Sequence, residues 1–386
     1  MKNNFLIKNF IGKRFYNIKK NNKNIKISLK LLEYISKNTH NKKNIFHIFN
    51  KKYELDFALK SLKKFKKFKT IIVIGMGGSI LGIKAFHSFL KLKVKKEVLF
   101  LDNLDSYRLK KLSKITDTKK NLFIIISKSG NTLETLTNKN FFKNKISQNN
   151  SIIITEKGNS KLNKFSQDKK ILHVEHKKYI GGRYSVLSEA GMLPAYLMGL
   201  EIKKFRENLS KYFKNNSKKF LCESSSLISQ NYLSKKINSI IFFNYCPPLN
   251  NFVYWCQQLM SESLGKNGKG ILPVLSEAPK DHHSLLQLYL DGPKDKIFYI
   301  ISAEDRLNKK IDKIVKAQRN AFIQVLKKKK IPFRIIHINN FSESTIGELF
   351  SFFILEIVLI ANLIKVNPFN QPAVEEVKIF TKKNLK

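Results

Sequence analysis

Ile71-Ile72-Val73-Ile74-Gly75-Met76-Gly77-Gly78-Ser79 joins four consecutive aliphatic residues to a glycine-rich loop. The same grammar recurs where Leu122-Phe123-Ile124-Ile125-Ile126 runs into Ser127-Lys128-Ser129-Gly130-Asn131-Thr132. Both apolar runs are short and rich in β-branched residues, as expected of strands buried on both faces. Each loop precedes a segment that reads as a helix, Ile80–Leu92 and Glu134–Lys145. A strand–loop–helix unit presents unpaired backbone N–H groups at the helix start, where an anion is favoured. Glycine lets the backbone approach that anion, and small hydroxyls donate to it without bulk. Two such loops in one βαβ region suggest a phosphorylated small molecule held between them.

Either loop alone also fits an ordinary α/β turn. A dinucleotide fingerprint opening at Gly75 needs a third glycine where Ile80 stands, and neither loop carries the Gly-Lys-Ser/Thr of a nucleotide-binding P-loop. Working outward, Val98–Asp102, Ile152–Thr155 and Leu172–Glu175 read as further strands, and helical patterns lie between several of them. After the polar, Ser-rich stretch Asn215–Ser226, read as a domain boundary or linker, the alternation restarts. Strands are expected at Ser239–Phe243, Ile271–Leu275, Ile297–Ser302 and Phe333–Ile338, and helices at Val253–Ser263, Asn308–Leu326 and Thr345–Lys365. This predicts an α/β protein built from two parallel sheets flanked by helices. The run Ile346–Val366 is apolar but interrupted by Glu348, Glu356, Asn362 and Lys365, so it reads as a buried core helix rather than a membrane span.

The chain has 386 residues, enough for two domains, and 42% of them are hydrophobic. Lys and Arg number 73 against 28 Asp and Glu, a formal charge of +45. Such a surplus raises the possibility of nucleic-acid binding. The lysines are scattered, however, and no zinc-finger spacing, aromatic RNP-like cluster or basic zipper accompanies them. Neither a specific nucleic acid nor a membrane is therefore expected as a partner. Cys222, Cys246 and Cys256 lack paired spacing, which suits reduced thiols and a cytoplasmic location. The basic, Asn-rich N-terminus has no continuous apolar core and is not read as a secretory signal.

Four more clusters follow. Gly181-Gly182-Arg183-Tyr184-Ser185 sets an arginine beside paired glycines. Gln258 and Glu262 stand four residues apart, on one helix face. Asp281-His282-His283-Ser284 follows a strand and a proline turn, and Phe369-Asn370-Gln371-Pro372 precedes Lys378. Alone, each has a bland reading: a solvated helix carboxylate, a turn-capping arginine, a surface histidine and one lysine among many.

Together with the two loops, this order resembles the glucose-6-phosphate isomerase (phosphoglucose isomerase) family in its compact bacterial form, over roughly Ile71 to Lys378. The resemblance implies two flavodoxin-like sugar-isomerase domains, at 46–212 and 213–366, after a basic arm at 1–45 and before a C-terminal segment at 367–386. It implies Glu262 as catalytic base, Arg183 beside the reacting carbons and Gln258 in the same pocket. It also implies His283 as the ring-opening group, supplied by a partner subunit of a homodimer, with Lys378 and Gln371 from the C-terminal segment. The phosphate would lie on Ser127, Lys128, Ser129 and Thr132, closed over by Gly78 and Ser79. No cofactor or metal is implied, and adjacent His282-His283 makes a poor zinc pair on a helix.

The residue types suit the chemistry. A shielded carboxylate can carry a proton between C2 and C1, a guanidinium can balance the enediolate, and a histidine can open the pyranose ring. Asn370 and Ala373 depart from the family's commoner aspartate and glycine and leave the hexose open, with glucose 6-phosphate first and mannose 6-phosphate as a further substrate. The competing expectation is a noncatalytic sugar-phosphate sensor on the same domains.

Overall fold

The computed structural model describes residues 3–234, 236–304 and 307–385; Met1, Lys2 and Lys386, at the extremities of the expected first and last segments, lie outside the described residues. The first half forms a five-stranded, all-parallel sheet from β2 (Thr70–Gly75), β3 (Glu97–Leu101), β4 (Asn121–Ile126), β5 (Ser151–Thr155) and β6 (Leu172–Glu175). Their order is β3-β2-β4-β5-β6. Every residue of β2, β4 and β5 is buried, because helices cover both faces. Those helices include α2 (Leu81–Phe89), α3 (Ser106–Ile115), α4 (Leu133–Phe141) and α5 (Lys161–Asp168). Counted within this half, the order is 2-1-3-4-5, the flavodoxin-like winding. After it, α6 (Glu189–Leu197) leads toward the second half.

The second half repeats the winding. β7 (Ser239–Asn244), β8 (Leu272–Glu277), β9 (Lys296–Ala303) and β10 (Phe333–Ile338) pair in the order β8-β7-β9-β10. The fifth place is filled by β1 (Phe5–Phe10), which runs antiparallel to β10. The basic arm expected at the N-terminus is thus not an arm. Phe5 and Ile7 point into the core while Leu6 and Lys8 face out, an alternation that a half-buried edge strand requires.

A buried polar network pins that edge. Arg334 on β10 and Glu356 are both almost fully enclosed and pair through two hydrogen bonds of 2.8 and 2.9 Å. Asn9 Oδ1 accepts from Arg334 Nε at 2.8 Å. Because side chains alternate faces, slipping β1 by one residue would turn Asn9 away and leave the guanidinium short of a partner.

Four long helices complete this half: α7 (Asn215–Ser234), α8 (Asn250–Leu264), α9 (Lys309–Lys328) and α10 (Glu343–Leu363). The Ser-rich stretch expected as a linker is instead the first part of α7, packed between α10 and α1 (Ile18–Asn38). Ser224, Ser225, Ser226 and Ser229 have no exposed surface. Ser225 and Ser229 donate to the Leu221 and Ser226 carbonyls of their own helix, Ser224 donates to Glu356 on α10 and Ser226 to Asn21 on α1, and their small size admits close helix packing. α10 is long and apolar enough to cross a membrane by composition, but 89% of that window is buried inside the protein. The chain ends in α11 (Ala373–Asn384), which buries none of its residues.

Candidate active site

The two glycine- and serine-rich loops leave the C-terminal ends of neighbouring strands, Gly75 on β2 lying level with Ile126 on β4. This is where the strand order reverses, the crevice that open α/β sheets use for ligands. In the second loop, Ser127 is buried and its hydroxyl lies 2.9 Å from that of Thr132. Gly130 takes φ +66° there, and a Cβ on it would fall 2.1 Å from the Ser160 hydroxyl. Thr132 opens α4 with no side-chain cap on the first-turn N–H groups. Ser129 is exposed, and the Lys128 ammonium is turned onto the Lys178 carbonyl at 2.9 Å, near Glu156.

The first loop touches the third glycine cluster backbone to backbone. A Cβ on Gly78 would sit 2.2 Å from the Gly182 carbonyl carbon, so no other residue fits. That contact delivers Arg183, at the start of a tight turn over Gly182–Leu187, to the C-terminal end of α8. Helix α8 crosses from the second half to pack along α2 of the first, and Trp255 on it donates its indole N–H to the Arg183 carbonyl at 3.1 Å.

Arg183 is almost fully buried, and each of its five N–H donors is engaged. Nε donates to Ser263 Oγ at 2.9 Å. One terminal nitrogen donates to Glu262 Oε2 at 3.0 Å and to Gln371 Oε1 at 2.8 Å. The other donates to the carbonyls of Pro368 and Asn370. Gln258 Nε2 completes the group by donating to Glu262 Oε1 at 2.9 Å, while its amide stands over Gly77. Glu262 itself is about one-quarter exposed, at 28% of its side chain, so it faces the crevice.

Of the residues anticipated from sequence, Gly78, Arg183, Gln258, Glu262 and Gln371 converge here. Buried Ser79 and the loop bearing Ser127, Lys128, Ser129 and Thr132 border the same crevice. Two residues are not brought in. His283 sits exposed after β8, and among the described residues no hydrogen bond joins it to the Arg183 group. Lys378 pairs with Glu375 at 2.6 Å on the uncovered α11. The neighbouring His282 is the inward one: it meets the Tyr245 hydroxyl at 2.7 Å, and burial together with His283 lowers its pKa.

Sequence reasoning missed three supports of the site. Tyr184 bonds the Ser263 hydroxyl and donates to the Pro368 carbonyl, and burial raises the pKa of its phenol. Ser263 lies beside the expected base and anchors the arginine. Lys266 reaches back to the Glu262 carbonyl, and the Asn267-Gly268 turn that follows it was the available signal.

Comparison with known proteins agrees with this geometry. The profile of the family described as phosphoglucose isomerase matches residues 54–273. The glucose-6-phosphate isomerase of Methanocaldococcus jannaschii is 33% identical over 347 residues, covering 84% of this chain and 86% of that one. That of Mycoplasmopsis pulmonis is 31% identical over 368 residues, covering 85% and 86%. Among solved structures, a hypothetical protein from Thermus thermophilus superposes with TM-score 0.80 over 98% of this chain and 100% of its own, at 21% identity. A glucose-6-phosphate isomerase from Chlamydia trachomatis superposes with TM-score 0.73 over 85% and 72%, at 20% identity. At such identities the structural matches speak for the fold alone.

Proposed function

Since this chain belongs to the phosphoglucose isomerase family, we propose that the crevice around Arg183 and Glu262 carries out the family's aldose–ketose chemistry. The reaction is the reversible isomerisation of D-glucose 6-phosphate to D-fructose 6-phosphate. The observation that carries the site assignment is the pairing of a crevice-facing carboxylate with a buried, fully bonded guanidinium beside two anion-type loops. Glu262 takes the proton from C2 of the open-chain aldose and returns it to C1. The negative charge that develops across O1 and O2 lies next to Arg183. With all its donors engaged, Arg183 acts through its fixed positive charge rather than through new hydrogen bonds. The phosphate rests on Ser127, Ser129 and Thr132 with Lys128 nearby, Gly78 and Ser79 close the crevice, and Gln258 and Gln371 hold the carboxylate and guanidinium in place.

Ring opening falls to His283 with Lys378. Both lie on uncovered surface, and α11 exposes Val377, Ile379 and Phe380 beside Lys378. That pattern supports a homodimer in which a second copy covers this face and supplies His283. Three unpaired, buried cysteines support a cytoplasmic location. We take 46–212 and 213–366 as the two sugar-isomerase domains, with β1 belonging to the second and 367–386 following them. A noncatalytic sensor on this fold is not favoured, the matched relatives being isomerases by name. A coupled assay tests the reading: fructose 6-phosphate, a dehydrogenase that detects glucose 6-phosphate, and a chelator throughout. Turnover is expected in the wild type, with kcat about a thousandfold lower in Glu262→Gln; an undiminished rate in that variant would remove Glu262 from the role of base.

A further inference from the structure

We propose that Lys266 is a positioning residue of this site, which fixes Glu262 against Arg183 by capping the end of α8 from a tight turn. The inference rests on the isomerase reading and adds a residue to it. The last carbonyls of a helix have no partners within it, and α8 ends at Leu264, immediately after the two residues that hold Arg183. The Lys266 ammonium donates to the Glu262 carbonyl at 2.5 Å and to the Ser263 carbonyl at 3.0 Å. A cation there is favoured by the helix dipole as well.

What aims the side chain is the backbone. Asn267 and Gly268 both take positive φ, +54° and +69°, and Lys266 and Lys269 exchange hydrogen bonds of 3.1 and 2.9 Å across them. Two left-handed residues in succession make a type I′ turn, which Asn-Gly favours. At its far side the Lys269 ammonium donates to the Ile364 carbonyl at 2.9 Å, at the end of α10. One turn therefore ties together the ends of α8 and α10. Arg183 joins the continuations of the same two helices, bonding Glu262 and Ser263 on one and Pro368, Asn370 and Gln371 beyond the other. The turn and the arginine are two rungs between the same rails.

The charged groups facing Lys266 are Glu262 on α8, Arg183 on the Gly182–Leu187 turn and, across its own turn, Lys269 directed to α10. Burial and Arg183 pull the Lys266 pKa down to about 8, against the opposing pull of Glu262. Wild-type Lys266 thus loses its charge within the alkaline working range, whereas a guanidinium in its place stays charged.

Lys266→Met and Lys266→Arg, compared with the wild type, test the proposal. In Lys266→Met, kcat should fall about thirtyfold while KM for fructose 6-phosphate stays within about threefold, since the groups that bind phosphate are untouched. Lys266→Arg should restore most of the rate and shift the alkaline limb of kcat upward by about one pH unit or more, which a merely structural cap would not do. A Lys266→Met rate within about threefold of wild type, or an alkaline limb unmoved in Lys266→Arg, would overturn it. Hydrogen exchange reads the same clamp without turnover: Lys266→Met should speed exchange at 263–266 and 367–371 and leave the first sheet protected. Unchanged exchange there would count against the clamp. A wild type without isomerase activity but with that exchange pattern would instead refute the isomerase reading and leave the clamp standing.

Discussion

A single nitrogen of Arg183 lies 3.0 Å from Glu262 Oε2 and 2.8 Å from Gln371 Oε1, so one side chain joins the helix of the proposed base to the chain's last loop. Buried ion pairs are costly to break, because the surviving charge is left without its partner. Here the partners are also the chemistry, and support and catalysis are mechanically one unit.

Arg183→Lys tests that unity. A lysine has one nitrogen and cannot serve acceptors on Ser263, Glu262, Gln371 and two carbonyls at once. The expected result is a kcat about a hundredfold lower. The emission of Trp255, the chain's only tryptophan, should shift as well, because its indole donates to the Arg183 carbonyl. A lysine variant with wild-type kcat would show that the charge alone suffices.

Why the fold could be read from the sequence, and parts of the site could not, follows from which signals are local. β2 and β4 announce themselves because strands buried on both faces are apolar throughout, and their loops are anion-type by residue class. The convergence of Arg183, Gln258, Glu262 and Gln371 was legible as an ordered set of motifs, not from any of them singly. β1 was not legible: its partner β10 lies more than three hundred residues away in the chain, and its six residues are too few to make a half-buried alternation evident. The serines of α7 misled because buried small polar residues, bonded by their own helix or by the helices packed on it, look like linker composition.

The phosphate loop makes a prediction about KM rather than kcat. Ser127 and Thr132 present hydroxyls 2.9 Å apart at an uncapped helix start. A hydrogen bond to a charged group is worth about 1.5–3 kcal/mol, so Ser127→Ala or Thr132→Val should each raise KM for fructose 6-phosphate by about tenfold or more. Inhibition by inorganic phosphate should weaken in parallel, with kcat little changed. A raised KM with unaltered phosphate inhibition would place the phosphate elsewhere.

Glu189 gives a pH-dependent stability with a defined sign. It has no exposed surface, accepts from the Tyr53 hydroxyl at 2.8 Å and the Asp56 N–H at 3.1 Å, and lies 3.9 Å from Lys177. Burial raises its pKa despite those partners. Between the ordinary carboxylate value and the raised one, the folded chain binds the extra proton. Stability from this group therefore falls as pH rises through that window and returns on acidification. Glu189→Gln removes the effect. Relative to that variant, the wild type should gain stability in urea unfolding as the pH is lowered from neutral toward the ordinary carboxylate value. A difference that is flat across this range would mean that Lys177 neutralises the carboxylate outright.

The exposed placement of His283 bears on the oligomer directly. If a second copy supplies it, Glu262→Gln and His283→Ala proteins should be nearly inactive alone yet complement each other when mixed. In an equal mixture, half the dimers are heterodimers, and each has one site with both intact residues and one with neither. Activity should then recover to roughly one quarter of the wild-type level after subunit exchange. Recovery should appear at the rate of exchange and depend on protein concentration. If both residues acted within one chain, no mixture could assemble a working site and activity would stay at the sum of the two parents, so complementation separates the two arrangements by kinetics alone.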